Sequence, residues 1–143
     1  MLTVLRREFE VNLRQAEAWR HLARVEDWPS WAKHIKRIEL DPRGGLGPRS
    51  AGTIHLRNGI KSTFRMVEFN PHENWKWSGR FLWLKVAYDH VFEAQGARTR
   101  LIWIVECGGW GRSVLGRLFA WLYNKNLDKA IPALIEEMHS RVP

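Results

Sequence analysis

Apolar residues along this chain follow two periods, about two residues through its middle and about three and a half near its ends. Glu8 to Leu13 reads as the end of a first strand. From Arg14 to Arg24 the spacing turns helical, with Ala16, Trp19, Leu22 and Ala23 on one face. Asp27-Trp28-Pro29-Ser30-Trp31 breaks that pattern, because proline restricts its predecessor and Ser30 can cap a short new turn. His34 to Leu40 alternates through Ile35, Ile38 and Leu40, and the glycine- and proline-rich run from Asp41 to Pro48 is a loop.

The middle of the chain predicts antiparallel hairpins. Gly52 to Arg57 and Ile60 to Phe69 flank Asn58-Gly59, a pair that accepts the positive φ values of a tight turn. After a second turn at Asn70 to Asn74, the alternation Trp75-Lys76-Trp77-Ser78 puts both indoles on one face. Tyr88, His90 and Phe92 share a face of the next strand, and after Gln95-Gly96 the chain returns through Leu101, Trp103 and Val105. With Ala94 opposite Ala97, His90 faces Leu101, Tyr88 faces Trp103 and Cys107 falls opposite Leu84. Phe81-Leu82-Trp83-Leu84 shows no alternation; it reads as buried strand, with a gating loop over a cavity mouth as the other reading.

From Gly111 to Arg141 the residues Leu115, Leu118, Leu122, Leu127, Ile131, Leu134 and Met138 recur at helical intervals. A helix of about 28 residues is about 42 Å long, enough to cross a small sheet. Pro132 should kink or interrupt it by removing the bond to the Asp128 carbonyl; if the helix restarts there, Asp128 is a candidate N-cap.

Composition then narrows the class. The 143 residues suit one domain over 1–143 with a substantial core. No run of about 18 apolar residues occurs and charge begins at Arg6, so a soluble, cytoplasmic protein is expected. The single cysteine, Cys107, excludes an internal disulfide. It also lies about 20 Å along the strands from His90, too far for a nucleophilic dyad. The six histidines, at 21, 34, 55, 72, 90 and 139, show no paired ligand spacing, and no phosphate loop, dinucleotide fingerprint or Ser/His/Asp elbow is present, so no metal or cofactor is expected. Lys plus Arg number 23 against 15 Asp plus Glu, a net charge of +8. Without a continuous basic run this reads as a solvated surface, and nucleic acid is a disfavoured partner.

Several segments, in order, carry a resemblance. Ala16, Trp19 and Leu22 followed by Asp27-Trp28-Pro29-Ser30-Trp31 and Ile35, then Ser50-Ala51-Gly52-Thr53, Val67-Glu68-Phe69-Asn70-Pro71, Trp75-Lys76-Trp77, His90-Val91-Phe92-Glu93 and Thr99-Arg100-Leu101, lead into the closing amphipathic helix. This arrangement resembles the START-like (SRPBCC) ligand-binding superfamily, particularly its polyketide cyclase/dehydrase-like branch, over nearly the whole chain. The resemblance implies an α+β helix-grip fold: a curved antiparallel sheet around a long C-terminal helix, two short helices after the first strand, and an apolar cavity between.

Parity then nominates the cavity wall as Ile54, Leu56, Trp75, Trp77, Tyr88, His90, Phe92, Leu101, Trp103 and Val105, with Trp83 added from the apolar run. Arg65 and Glu68 interrupt an apolar strand with different parities, so at most one faces inward, and Arg65 is the ligand candidate. Such a wall suits a hydrophobic, ring-containing or lipidic small molecule that is carried or sensed. A second reading is an aromatase/cyclase-like enzyme in which His90 and Tyr88 handle protons. A third is a basic surface module for membrane or nucleic acid. The helix section Arg112 to Lys129, with Trp110 and Trp121 among its aromatics, fits core or homodimer packing and, less well, a membrane surface. Trp19, Trp28 and Trp31 read as packing.

Overall fold

The computed structural model describes residues 2–43, 45–108 and 114–140. Strand β1 (Leu2–Val11) leads to helix α1 (Gln15–Ala23) and a 3-10 helix (Val25–Ser30). Six strands follow: β2 (Ile35–Asp41), β3 (Ala51–Leu56), β4 (Lys61–Asn70), β5 (Asn74–Phe81), β6 (Leu84–Gln95) and β7 (Arg98–Cys107). Helix α2 (Val114–Ser140) closes the chain. The strands form one antiparallel sheet in the order β1-β7-β6-β5-β4-β3-β2, the helix-grip arrangement, with α2 against the concave face. Trp110 and Arg112 lie outside the described residues, as do Gly44 and Arg141.

Helix α2 is held most firmly through its C-terminal half. Glu137 accepts from Ser30 Oγ at 2.6 Å and pairs with His21 Nε2 at 2.9 Å, tying α1 and the 3-10 helix to α2. Ser30 therefore spends its hydroxyl on α2 rather than on a cap. Arg7 reaches Asn124 Oδ1 and Asp128 Oδ1, each at 2.7 Å, so the Asp128 carboxylate serves a bridge to β1 instead of starting a new helix. The helix runs continuously through Pro132. The lost backbone bond is outweighed by the burial of Leu127, Ile131, Leu134 and Met138 on either side of it.

The final hairpin is paired two residues away from the predicted register. Its tight turn is Gly96-Ala97, with Gly96 at φ 67°, so Gln95 faces Arg98, His90 faces Trp103, Phe92 faces Leu101 and Cys107 faces Val86. Sliding the turn by one residue moves every pair by two, and the same side chains still share the concave face. The run 81–84 departs further. Leu82-Trp83 is a two-residue turn joining Phe81 to Leu84, with both turn side chains exposed, so it is not buried strand.

Sheet curvature centres on one cross-strand row in which Phe64 lies between Gly52 and Gly79. A Cβ on Gly79 would overlap the Thr63 carbonyl oxygen, and one on Gly52 would overlap the Glu39 carbonyl oxygen and sit 2.7 Å from the Phe64 ring. The two glycines let the backbones close around Phe64, whose ring packs on Trp77 at 4.3 Å. The Gly79 contact is with backbone and cannot be relieved by a rotamer change. Gly79→Ala is therefore expected to cost about 1–3 kcal/mol or more, because the sheet itself must shift. A thermal melt or urea titration of the variant that overlays the parent protein would disprove this account of the bend.

Candidate functional site

Between the sheet and the N-terminal half of α2 lies a cavity of about 350 Å³, at the small end of the range for small-molecule sites, roughly 300–1,000 Å³. Ile54 and Leu56 of β3, Ser62 of β4, Trp77 and Phe81 of β5, and Tyr88 and His90 of β6 form its floor. Phe119, Leu122, Tyr123 and Asn126 of α2 form the roof, His34 and the buried Ile35 also line the cavity, and the exposed Arg57 and Asn58 stand at the mouth. Trp28 closes the inner side. Its indole N–H donates to the Leu22 carbonyl at 2.8 Å, which holds the ring between Trp77 and His90 at 5.6 and 5.8 Å between centroids.

The predicted wall divides along the length of the strands. Ile54, Leu56, Trp77, Tyr88 and His90 line the cavity. Trp75, Phe92, Leu101, Trp103 and Val105 lie on the same concave face but are buried elsewhere in the core. Trp19 packs on Trp75 and Phe92, while Phe9 and Trp31 pack on Trp103. The indole N–H groups of Trp75 and Trp103 have no hydrogen-bond partner among the described residues. Two placements are corrected. Arg65 is exposed on the convex face, in a groove with Ser78, Arg80 and Lys85, because Phe64 and Met66 take the inward parity. Trp83 is 65 % exposed at its turn and does not line the cavity.

Trp28, which reads as packing from sequence, in fact faces the cavity; proline one residue later fixes the 3-10 turn that aims it, a signal visible in Trp28-Pro29. The α2 contributors Phe119, Tyr123 and Asn126 carry no such signal, because a helical face does not reveal whether it meets packed side chains or a void.

The electrostatics of the cavity turn on His90. Its Nδ1 lies 3.3 Å from the Trp75 carbonyl oxygen, which only accepts, so the proton sits on Nδ1 and Nε2 offers a lone pair. Among the described residues the Trp75 carbonyl is the one hydrogen-bond partner of the His90 side chain. Its ring stacks on Trp75 at 4.7 Å, and loss of solvation lowers its pKa from 6.5 to about 3 against a smaller opposing effect of the Trp75 carbonyl. Tyr88 and Tyr123, 5.6 Å apart, have pKa values raised by burial. Ser62 donates to the Arg80 carbonyl at 2.8 Å beside the Tyr88 phenol. With the Trp75 carbonyl as the one opposing influence, burial keeps the His90 imidazole neutral near pH 7. Apart from the Arg57 guanidinium, the lining is uncharged at physiological pH and can accept hydrogen bonds through His90 Nε2 and the phenols. No group of three or more His, Cys, Asp or Glu suited to a metal occurs among the described residues.

A family model described as polyketide cyclase/dehydrase and lipid transport matches residues 3–137. Among solved structures, the Zhui aromatase/cyclase of Streptomyces sp. R1128 superposes with a TM-score of 0.76 at 15 % identity, covering 97 % of this chain and 94 % of that one. A START superfamily protein of Mycobacterium smegmatis gives a TM-score of 0.71 at 13 % identity over 96 % and 98 % of the two chains. The protein TTHA0849 of Thermus thermophilus gives 0.73 at 16 % over 97 % and 99 %. These likenesses establish the fold. No curated protein matches in sequence.

The His90 environment has a measurable linkage. With the folded pKa below the unfolded value of 6.5, the stability contribution is complete above pH 6.5 and is lost as pH falls toward 3. Between pH 7.5 and 4.5 the parent protein should lose about 2–3 kcal/mol more than His90→Gln, which cannot titrate. His34, also lowered by burial, adds to the slope in both proteins alike. Urea unfolding with parallel pH dependence for the two proteins would show that His90 is not held neutral.

Proposed function

The chain belongs to the polyketide cyclase/dehydrase and lipid transport family, and from that membership and the cavity we propose that it binds a neutral, flat, ring-containing hydrophobic molecule carrying a hydrogen-bond donor. The observation that carries this reading is the aromatic cavity in which the buried His90 imidazole offers an unpaired Nε2 lone pair. Trp28, Trp77 and Phe119 offer ring faces and edges for stacking, and His90 Nε2 orients a hydroxyl or N–H placed against it. A volume near 350 Å³ suits about two or three fused rings and excludes a whole two-chain lipid. The aromatase/cyclase activity named for the Streptomyces protein has less support here, since burial moves the His90 pKa down and the Tyr88 pKa up, both away from neutrality.

Three matched probes test the reading: 2-naphthol, 2-methoxynaphthalene, which accepts but does not donate, and naphthalene. Quenching of tryptophan emission should give saturable binding of all three, with naphthol about five- to tenfold tighter than its methyl ether, the value of one net hydrogen bond to a buried acceptor. His90→Gln, which keeps an acceptor, should hold naphthol affinity within several-fold, and His90→Phe should erase the preference for the donor. Absence of saturable binding by any probe, with nothing released on organic extraction of the purified protein, would sink the carrier reading. A preference that survives His90→Phe would place the polar contact elsewhere.

A further inference from the structure

Apart from Leu2 and Val67, the large exposed apolar side chains among the described residues are not scattered. Leu82 and Trp83 form the β5–β6 turn, and Val114, Leu118, Trp121 and Leu122 lie on α2; their exposures run from 42 to 83 %. Residues 114, 118, 121 and 125 follow helical spacing, so they make one stripe, turned away from the buried Phe119 and Leu127. The pairings of Ile54 with Ser62 and of Ser62 with Phe81 bring the β3–β4 and β5–β6 turns to the same end of the sheet. Phe81 meets Phe119 edge-on at 4.9 Å, which places the N-terminal half of α2 at that end too. It is the end where the cavity opens, past Arg57, Asn58 and the half-exposed Leu122.

The charge there is predominantly positive. Arg57, Lys61, Arg80, Lys85, Arg117 and Lys125 occupy the turns, the adjoining strand ends and α2. Among the described residues of those segments and residues 114–127 the sole carboxylate is Glu106, which is paired with Lys76 at 2.8 Å. Lys125 lies over the Trp121 ring at 4.5 Å, an ammonium beside an apolar body of the kind that sits at a water–lipid boundary. Leu82 adopts φ 57°, a conformation that favours glycine, yet presents an exposed leucine.

We propose that this end is a docking surface for an anionic lipid bilayer, with Trp83, Leu82, Leu118 and Trp121 entering the interface, the surrounding lysines and arginines on the headgroups, and the cavity mouth facing the membrane. Charge complementarity favours this occupant over a second copy, which would set two basic faces against each other. Aliphatic side chains as exposed as Val114 and Leu118 gain nothing from a nucleic-acid backbone. The surface stands apart from what fills the cavity, so either assignment can fail without the other.

The test is co-sedimentation of the full chain with vesicles of phosphatidylcholine alone and of equal parts phosphatidylcholine and phosphatidylglycerol. Binding to the anionic vesicles should be at least about tenfold tighter, weaken with added salt and shift tryptophan emission to the blue. Trp83→Ser combined with Trp121→Ser should weaken it by about tenfold or more while leaving the melting curve and naphthol affinity unchanged, and Val67→Ser on the convex face should have no effect. The proposal is overturned if the parent protein does not bind, if both vesicles bind equally, or if the double variant binds as well as the parent. It is equally overturned by a concentration-dependent dimer that the double variant abolishes. Binding to a single-stranded RNA tighter than to the vesicles and indifferent to the two tryptophans would also overturn it.

Discussion

The structure depends on where α2 is tied down. The sheet presents a concave face crowded with indole, phenyl and phenol rings, and one 27-residue helix has to cover it. Polar ties gather along the middle and C-terminal half of that helix: Asn124 and Asp128 to Arg7, Glu137 to Ser30 and His21, and His139 to the Asn12 backbone N–H. Ahead of Asn124, ring packing holds the helix, Phe119 on Phe81. Tyr123 likewise packs on Tyr88. A helix fixed at one end by directional bonds and at the other by rigid rings cannot settle further onto the sheet. The space left beneath its first half is the cavity.

What is unusual about the polar groups in that space follows from their burial among apolar and aromatic side chains. An imidazole walled by Trp28, Trp75 and Trp77 loses its hydration and gains only one carbonyl in return, so it stays neutral and keeps the tautomer the carbonyl dictates. The same burial holds the Tyr88 and Tyr123 phenols in their protonated form. These properties support the recognition reading proposed above, in which His90 is a hydrogen-bond acceptor rather than the acid–base group that sequence spacing nominates.

Much of this architecture is legible in the sequence because a strand's period of two survives error. The predicted pairing of β6 with β7 is displaced by two residues, yet Tyr88, His90, Phe92, Leu101, Trp103 and Val105 all lie on the concave face, since a shift of two preserves parity. Parity cannot say which of these residues meet a void and which meet a neighbour, because that is decided by α1, Trp19 and α2 arriving from distant sequence. Pro132 misleads for a related reason: its local cost is fixed, but the burial on both sides of it is set by the fold. The run from Phe81 to Leu84 is ambiguous because apolar residues at a turn look like buried strand until the pairing of Phe81 with Leu84 leaves the middle two outside.

The two ends of the molecule thus carry different obligations. At the closed end, aromatic side chains satisfy one another edge-on and the polar groups bridge helix to helix and helix to strand, the arrangement expected where stability is the requirement. At the open end, large apolar residues stand in solvent beside cations and a leucine takes a backbone conformation better suited to glycine. Neither feature contributes to folding, and the second opposes it. Departures of this kind occur singly elsewhere, at His72 with φ 68° and at the exposed Leu2 and Val67, but they gather at the cavity mouth, and such gathering is what a fold tolerates where its surface must meet something other than water.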